Sequence, residues 1–196
     1  MDHSGAASPA ASPVGSPAAS PAQARIRPCR DGDAARLAAL VRRALRAVNS
    51  RDYPEEIIIR LCAHYDAARF AQMSSDRAVY VAEGPGGLAG PDSPGGLGGR
   101  GGSAGPGGYA GPVCGTVARA GGTVSAMFVD PAWLGRGIGR QLMRHAERQA
   151  AGEGIDRMEA AASITAHGFY RRLGYLDAGA RDSEFGRTYL MRKPLR

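Results

Sequence analysis

The sequence predicts a mixed α/β domain whose sheet contains several antiparallel strands. Short runs of β-branched and apolar residues alternate with longer segments in which apolar residues recur at helical spacing. In chain order, a first strand precedes two or three helices, and three strands that can pair antiparallel follow them. The last of these strands leads into a glycine-rich turn and a further helix between Val129 and Met143. A strand, turn and helix start in this order can bind an anion through free backbone N–H groups.

The first half of the chain is predicted to contain one strand and two or three helices. Residues 24–29 alternate in polarity and are predicted to form the strand. Two aspartates then place negative charge at the start of a helix over residues 34–48, whose apolar side chains share one face. Pro54, in the first turn, opens a second helix. A short third helix is predicted over residues 66–73.

The second half contains mainly strands, with two helices between them. Strands are predicted over residues 77–83, 113–119, 123–129, 156–162, 175–180 and 187–192, and helices over residues 141–151 and 165–173. Gly121 and Gly122 supply a turn, so the strands on either side of them are expected to pair as a hairpin. Gly174 is expected to end the last helix in a left-handed conformation.

Glycine and proline are concentrated in two segments of the chain. The 196 residues include 29 glycines and 13 prolines, more than an ordered domain of this size ordinarily contains. Residues 1–24 are almost all Ala, Ser, Pro and Gly, and residues 84–112 form a second block of low complexity. Such segments bury too little apolar surface to offset the entropy of ordering. We therefore expect a disordered tail over residues 1–24 and one domain over residues 25–196, with a disordered insertion at about 84–112.

Several classes of protein are disfavoured by the sequence. The first 24 residues lack the basic start and apolar core of a secretory signal, and no apolar run approaches the length of a membrane span. The three cysteines are odd in number and far apart, which is typical of reduced thiols in the cytoplasm. The four histidines show no metal-ligand spacing. We therefore expect a cytoplasmic protein with no metal and no membrane partner.

The chain has a formal net charge of +7, which raises the question of nucleic-acid binding. Aromatic residues make up only 6% of the chain, however, and they are not interleaved with the arginines. A solvated basic surface is the simpler explanation, and some of the charge would suit a phosphate-rich cofactor. We expect no nucleic-acid partner, and a steep salt dependence of DNA binding would revive that hypothesis.

Three glycines alternate where the strand ending at Val129 gives way to the next helix. Gly135, Gly137 and Gly139 have no Cβ, so a ligand can approach the backbone closely, and the helix start attracts a phosphate. The spacing does not fit the dinucleotide fingerprint, and the chain has no Gly-Lys-Ser/Thr run of an ATP-binding loop. The segment is either a phosphate loop of another kind or a flexible turn before a surface helix.

The run Leu-Gly-Arg-Gly-Ile-Gly over residues 134–139 resembles the acetyl-CoA pyrophosphate loop of the GNAT superfamily of N-acetyltransferases. In that family the loop consists of Arg or Gln, two residues, Gly, one residue, and then Gly or Ala. Gly137 and Gly139 match this pattern, and Leu134 stands at the Arg/Gln position. The departure removes one side-chain contact at most, because backbone amides do most of the binding in this family.

A second segment, residues 163–175, is similar to another part of the same family. Ala166, Tyr170 and Gly174 match the family pattern, and Ser163 stands where Asn is usual. The Ala-Ser-Ile-Thr-Ala run at the start of this segment also resembles a small bacterial branch of the superfamily. Both motifs occur in the expected order, with the expected strands before and between them.

The resemblance extends over residues 24–193 and implies both a fold and a reaction. The implied fold has a mixed, mostly antiparallel central sheet that is flanked by helices and splayed at the acetyl-CoA site. The implied reaction transfers an acetyl group from acetyl-CoA to the amine of a small-molecule or peptide acceptor. We expect a monomer or a homodimer.

The resemblance also assigns roles to individual residues. Tyr170 matches the acid that protonates the departing thiolate, although a core aromatic beside Phe169 is the alternative. Backbone N–H groups near Met127 and Phe128 would hold the carbonyl oxygen, and Val129 would contact the pantetheine arm. The cofactor-binding residues are expected to be Met127, Phe128, Val129, Leu134, Gly135, Arg136, Gly137, Ile138, Gly139, Arg140, Ser163 and Ala166.

The sequence leaves the proton acceptor for the amine open. Many relatives carry a Glu on the strand before the phosphate loop, but this chain has Thr123, Ser125 and Met127 there. Glu83, at the end of a neighbouring strand, and Glu159, on the strand after the loop helix, are the side-chain candidates, and an ordered water is the third. The missing carboxylate also supports an alternative function, a non-catalytic acyl-CoA-binding sensor or interaction module, which the retained tyrosine opposes.

Overall fold

The computed structural model describes residues 24–85 and 111–195. The expected tail, apart from its last residue, and most of the expected insertion lie outside the described residues. The strands are β1 (Arg25–Pro28), β2 (Ala78–Glu83), β3 (Val113–Ala120), β4 (Thr123–Val129), β5 (Arg157–Ser163), β6 (Leu176–Ser183) and β7 (Gly186–Pro194). The α-helices are α1 (Ala34–Ala47), α2 (Glu55–His64), α3 (Ala67–Asp76), α4 (Ile138–Gly152) and α5 (Ile164–Arg172). None of these described helices is long and apolar enough to cross a bilayer.

One seven-stranded sheet, in the order β1-β2-β3-β4-β5-β7-β6, forms the centre of the fold. Neighbouring strands are antiparallel except β4 and β5, which are parallel. These two strands pair only at Thr123 with Glu159 and at Val124 with Ala160, and they separate beyond that point. The predicted fold class is confirmed, because the sheet is mixed and mostly antiparallel and its two parallel strands splay apart.

Alternate side chains of the strands build a hydrophobic core on each face of the sheet. On one face, α4 buries Leu142 and Ala146 in a cluster that includes Ala160 of β5. On the other face, α1 buries Leu40 in a cluster that includes Val81 of β2, with side chains from α2 and α3. The sheet thus has helices on both faces, and the gap between β4 and β5 lies between the two layers.

The helix after the glycine-rich turn begins three residues earlier than predicted. We expected it from residue 141, but α4 starts at Ile138, with Gly137 as its N-cap. Ile138 is 1% exposed, and its burial in the core extends the helix into the glycine-rich segment. Gly139 and Arg140 therefore belong to the first helical turn and not to the loop.

The two ends of the glycine-rich segment lie together between β2 and β3. The Gly84 N–H donates a hydrogen bond to the Pro112 carbonyl at 2.9 Å. Because the ends are already joined and closure entropy grows slowly with loop length, we expect deletion of residues 86–108 to leave Tm and acetyl-CoA affinity nearly unchanged. Thermal unfolding and calorimetric titration of the shortened chain measure both. A fall in Tm of more than about 5 °C, or a clear loss of affinity, would show that the deleted residues contribute to the fold or the site.

Candidate functional site

A cavity of about 750 Å³ opens where β4 and β5 separate. Its wall is built by both strands, the start of α4, α5, the end of α1, the end of α2 and the β6–β7 hairpin. Backbone N–H and C=O groups that lose their sheet partner at a splay need another partner, and a ligand can supply it. The volume lies within the range of ordinary small-molecule sites.

β4 presents the N–H groups of Met127 and Val129 to this gap. Asp130, directly after the strand, donates its N–H to the Cys114 carbonyl of β3 at 3.0 Å. Because the backbone groups of a strand alternate in direction, Phe128 also points its N–H toward β3, and Met127 and Val129 point theirs away from it. All three residues line the cavity. Of the two N–H groups expected to hold a carbonyl oxygen, Met127 is therefore the one that faces the gap, which corrects the expectation for Phe128.

The glycine-rich turn forms the next part of the wall. Leu134, Gly135 and Gly137 line the cavity, and Leu134 is 49% exposed. Gly135 and Gly137 have φ values of 75° and 77°, in the left-handed region that residues with a Cβ rarely adopt. The conformation of the turn therefore depends on glycine at these two positions.

The start of α4 carries unpaired backbone donors. Its first intrahelical hydrogen bond runs from Gln141 N to Gly137 O at 3.0 Å. The N–H groups of Ile138, Gly139 and Arg140 therefore have no partner inside the helix, and all three residues line the cavity. They lie at the positive end of the helix dipole, and the first turn of α4 contains no acidic residue. This end of the cavity can therefore bind a phosphate.

Gly139 has a packing role as well. A Cβ at this position would lie 3.1 Å from the ring of Phe169 and 3.3 Å from Cε of Met127. The missing side chain lets α4 approach α5 and β4 closely. Gly139 is therefore required for close packing, whereas Gly137 is required for its left-handed φ.

The two arginines of this segment lie in different places. Arg140 is exposed and lines the cavity, so its guanidinium is available to an anion at the start of α4. Arg136 stacks on the indole of Trp133, with its Cζ 5.0 Å from the ring centre, and it is not part of the cavity wall. Of the two arginines, Arg140 therefore lines the cavity beside the start of α4 and Arg136 does not.

Tyr170 lines the cavity from α5 and is 4% exposed. Its ring packs edge-on against the rings of Phe169 and Tyr175, with 5.3 Å between ring centres in each pair. Burial, and to a smaller extent the neighbouring Tyr65, raises the pKa of Tyr170. The phenol is therefore protonated at neutral pH, and it makes no hydrogen bond to another described residue.

Ser163 and Ala166 fix the start of α5. The Ser163 hydroxyl accepts a hydrogen bond from Ala166 N at 3.1 Å and caps the helix. The Tyr53 hydroxyl accepts a hydrogen bond from Ile164 N at 2.9 Å and donates one to the Arg187 carbonyl at 2.7 Å. These contacts attach α5 to the α1–α2 connection and to β7, and so hold the tyrosine of α5 in the wall.

The two carboxylates expected as proton acceptors lie outside the cavity wall. Glu83 is 3% exposed, and its Oε1 accepts hydrogen bonds from Nε and Nη2 of Arg27 at 2.8 and 2.7 Å. Glu159 pairs with Arg157 at 3.3 Å and with Arg192 at 3.0 Å. The structure therefore corrects the expectation that one of these side chains takes the proton of an amine, because arginines hold both away from the gap.

The wall on the α1/α2 face contains residues that the sequence analysis did not single out. His64 and Tyr65 come from the end of α2, and Phe185 comes from the β6–β7 turn, with its ring centre 4.9 Å from that of His64. Burial, followed by the charge of Arg69, lowers the pKa of His64 despite smaller opposite effects from two carboxylates. The imidazole is therefore neutral at neutral pH. No motif marks His64, whose spacing relative to the other site residues is set only by the tertiary fold.

Residues 75–176 match the family model described as the acetyltransferase (GNAT) domain. The matched range contains β4, the glycine-rich turn and α5, and therefore both sequence motifs and the gap between them. Among curated proteins, none is significantly similar to the chain.

Solved structures share the fold at low sequence identity. A GCN5-related N-acetyltransferase from Rhodopseudomonas palustris has a TM-score of 0.69 at 21% identity, over 88% of this chain and 96% of that chain. The PaiA N-acetyltransferase from Thermoplasma acidophilum, solved in complex with coenzyme A, has a TM-score of 0.63 at 16% identity, over 88% and 99%. The ribosomal-protein-S18-alanine N-acetyltransferase from Escherichia coli has a TM-score of 0.54 at 16% identity, over 88% and 94%.

Proposed function

The chain belongs to the GNAT acetyltransferase family, and we propose that it transfers the acetyl group of acetyl-CoA to the amine of a small-molecule or peptide acceptor. The observation that carries the proposal is the continuity of one cavity wall. The open edge of β4 leads to the unpaired N–H groups at the start of α4, and Tyr170 lines the same cavity. One cavity therefore offers a phosphate site, donors for a carbonyl oxygen and a buried acid.

The cosubstrate binds along this wall in the proposal. Its pyrophosphate accepts hydrogen bonds from the N–H groups of Ile138, Gly139 and Arg140, and the Arg140 guanidinium adds positive charge. The pantetheine arm follows β4 and pairs with the backbone of Val129. Leu134 contributes an apolar contact where the family has an Arg or Gln side chain. The lack of acidic residues in the first turn of α4 supports this placement.

The reaction is attack of a neutral amine nitrogen on the thioester carbonyl carbon. A C–N bond forms, the carbonyl oxygen becomes an oxyanion, and the Met127 N–H stabilises that charge. The C–S bond then breaks, which gives the N-acetyl product and the thiolate of CoA. Because the amine loses one proton and the thiolate gains one, the site needs both a proton acceptor and a proton donor.

Tyr170 is the proposed donor. A free phenol has a pKa of about 10 and a free thiol one of about 8.5, and the pKa of Tyr170 is raised further by burial. The hydroxyl therefore stays protonated and first stabilises the thiolate as a hydrogen-bond donor. Exclusion of water strengthens that hydrogen bond. The thiolate then takes the phenolic proton, Tyr170 regains a proton from solvent as CoA leaves, and the proton taken from the amine is released to solvent.

An ordered water and His64 are the proposed route for the proton of the amine. Among the described residues of the wall, His64 is the one whose side chain accepts a proton near neutral pH, since tyrosine and arginine side chains stay protonated there. The water bridges the amine and the imidazole. This assignment replaces Glu83 and Glu159, which arginines hold outside the wall.

Replacing His64 by Gln is expected to lower kcat/KM by roughly 10²-fold, at the low end of the range for a positioned base. The lowered pKa of His64 keeps its imidazole neutral at pH 7. The contribution of His64 to catalysis is lost as the pH falls through this pKa, which lies below 6.5. Below neutral pH, kcat/KM of the wild type therefore falls steeply, because both the amine and His64 gain protons. In His64→Gln, kcat/KM falls less steeply, because only protonation of the amine lowers it.

The pH dependence of thiol release measures this difference. His167→Gln is the matched control, because His167 lies on α5 outside the cavity wall and pairs with Asp177. The control should keep the steeper wild-type profile. If His64→Gln keeps it as well, His64 is not the proton acceptor.

A screen of amines with acetyl-CoA, followed as release of free thiol, tests the proposed function. We expect release that depends on the amine and produces an equal amount of acetylated amine. Tight binding of CoA with no amine-dependent release would contradict the proposal and favour an acyl-CoA-binding sensor.

A further inference from the structure

The cavity continues past the edge of β4 onto the α1/α2 face of the sheet. This part, the acceptor subsite, is lined by Val48, Leu61, His64, Tyr65, Arg181 and Phe185 among others. In the proposed function an amine must enter from this side to reach a thioester held at β4. An inference about the acceptor therefore rests on that function.

The charge of the cavity wall is positive. Arg181 of β6 lines the acceptor subsite, whereas no described aspartate or glutamate lines any part of the cavity. Asp182 and Glu184, on the same hairpin, are exposed and outside the wall, and no described carboxylate lies within ion-pair distance of the Arg181 guanidinium. An acceptor with several protonated nitrogens would lose hydration there without gaining a counter-ion. The wall therefore favours an acceptor that carries an anionic group.

The remainder of the acceptor subsite is apolar and aromatic. Val48 and Leu61 contribute aliphatic surface, and the ring of Tyr65 lies edge-on to Phe128 with 5.1 Å between ring centres. Phe185 covers the subsite from the hairpin. Walls of this kind bury a hydrocarbon or aromatic body and use a few polar groups to orient it. Arg181 and His64 are the polar groups available here.

We infer that the acceptor is a primary amine that carries a carboxylate and an apolar body, as an aromatic α-amino acid does. Arg181 binds the carboxylate through charge-assisted hydrogen bonds, and the aromatic wall binds the body. The amine nitrogen then faces the thioester carbonyl held at Met127. The bond changes are those of the proposed reaction: C–N forms, C–S breaks, the proton of the amine passes through water to His64, and the thiolate receives its proton from Tyr170.

Four commercially available amines test this inference: phenylalanine, phenylalanine amide, phenethylamine and spermidine. The measurement is kcat/KM for thiol release from acetyl-CoA. We expect phenylalanine to exceed phenethylamine and the amide by roughly 10- to 100-fold, the effect of one hydrogen-bonded charge pair, and spermidine to be the poorest acceptor. Arg181→Gln should remove most of the preference for phenylalanine over phenethylamine. Arg181→Lys should retain part of the preference.

Arg187→Gln is the matched control, because Arg187 is an exposed arginine of the same hairpin whose side chain lies outside the cavity wall. Arg187→Gln should keep the wild-type ratio of kcat/KM with phenylalanine to kcat/KM with phenethylamine. The ratio is compared between variants of one chain, so differences in the intrinsic reactivity of the two amines cancel.

The outcomes separate the inference from the function on which it rests. The inference is wrong, and the acetyltransferase function stands, if phenethylamine or spermidine is acetylated faster than phenylalanine. The same holds if Arg181→Gln does not lower the ratio of kcat/KM with phenylalanine to kcat/KM with phenethylamine. If no amine of any class releases thiol, the proposed function itself fails.

Discussion

Gly137→Val is expected to weaken acetyl-CoA binding severely and to leave most of the fold intact. Gly137 has a φ of 77° and caps α4, so a β-branched residue there must move the turn that orients the first N–H groups of the helix. Loss of two hydrogen bonds to a charged phosphate, at about 1.5–3 kcal/mol each, weakens binding by roughly 10²–10⁴-fold. Isothermal titration calorimetry with acetyl-CoA measures the change.

The strain of the substitution needs its own control. Gly154 has a φ of 81°, lies just beyond the other end of α4, and a Cβ there would meet nothing within 4 Å. Gly154→Val therefore imposes a similar backbone strain, roughly 1–3 kcal/mol, away from the cavity. It should lower stability to a similar degree and keep the affinity for acetyl-CoA. A folded Gly137→Val variant with wild-type affinity would remove the turn from the cosubstrate site.

Tyr170→Phe is expected to lower kcat by roughly 10²–10⁴-fold, the range usual for a positioned acid, with little change in acetyl-CoA affinity. The substitution removes one oxygen and keeps the ring packed against Phe169 and Tyr175. If Tyr170 is only a core aromatic, the rate should stay at the wild-type value. Steady-state thiol release with an accepted amine, together with calorimetry, separates the two roles.

Tyr175→Phe provides the comparison for Tyr170. Tyr175 is also buried, and its hydroxyl donates a hydrogen bond to Glu147 at 3.1 Å, but it does not line the cavity. Loss of this hydroxyl should lower the free energy of unfolding by about 1 kcal/mol and leave kcat unchanged. Equal effects of the two substitutions on kcat would contradict the assignment of Tyr170 as the acid.

Local patterns in the sequence were sufficient for most elements of the fold. β4 spans Thr123–Val129 as predicted, because a glycine turn marks its start and a proline follows its end. The start of α4 was not predicted, since glycine disfavours a helix, whereas the buried Ile138 lies in the first helical turn of the folded chain. The burial of Ile138 depends on tertiary packing, so a local sequence pattern does not predict it.

The phosphate side of the candidate site could be predicted because its residues are contiguous in sequence. The segments at residues 134–140 and 163–170 each belong to a single unit of strand and helix. The acceptor subsite instead combines α2 with the β6–β7 hairpin, so His64 and Arg181 come to line one cavity only in the folded chain.

The two glutamates illustrate the same limit of sequence reasoning. Glu83 and Glu159 were chosen from their positions on strands, but their partners are set by strand order. β1 lies beside β2 and supplies Arg27 to Glu83, and β7 lies beside β5 and supplies Arg192 to Glu159. Neither neighbouring strand could be identified before the order of the strands in the sheet was known.

One NMR titration tests the central claim that the gap between β4 and β5 binds acetyl-CoA and presents its thioester to an amine. The ¹⁵N-labelled protein is titrated with ¹³C-acetyl-CoA, and phenylalanine, phenethylamine and spermidine are then added to separate samples. The account predicts shifts at the amides of Met127, Val129, Ile138, Gly139 and Arg140, followed by movement of the ¹³C signal from thioester to amide. Shifts confined to other residues, or a thioester signal that persists with every amine added, would contradict it.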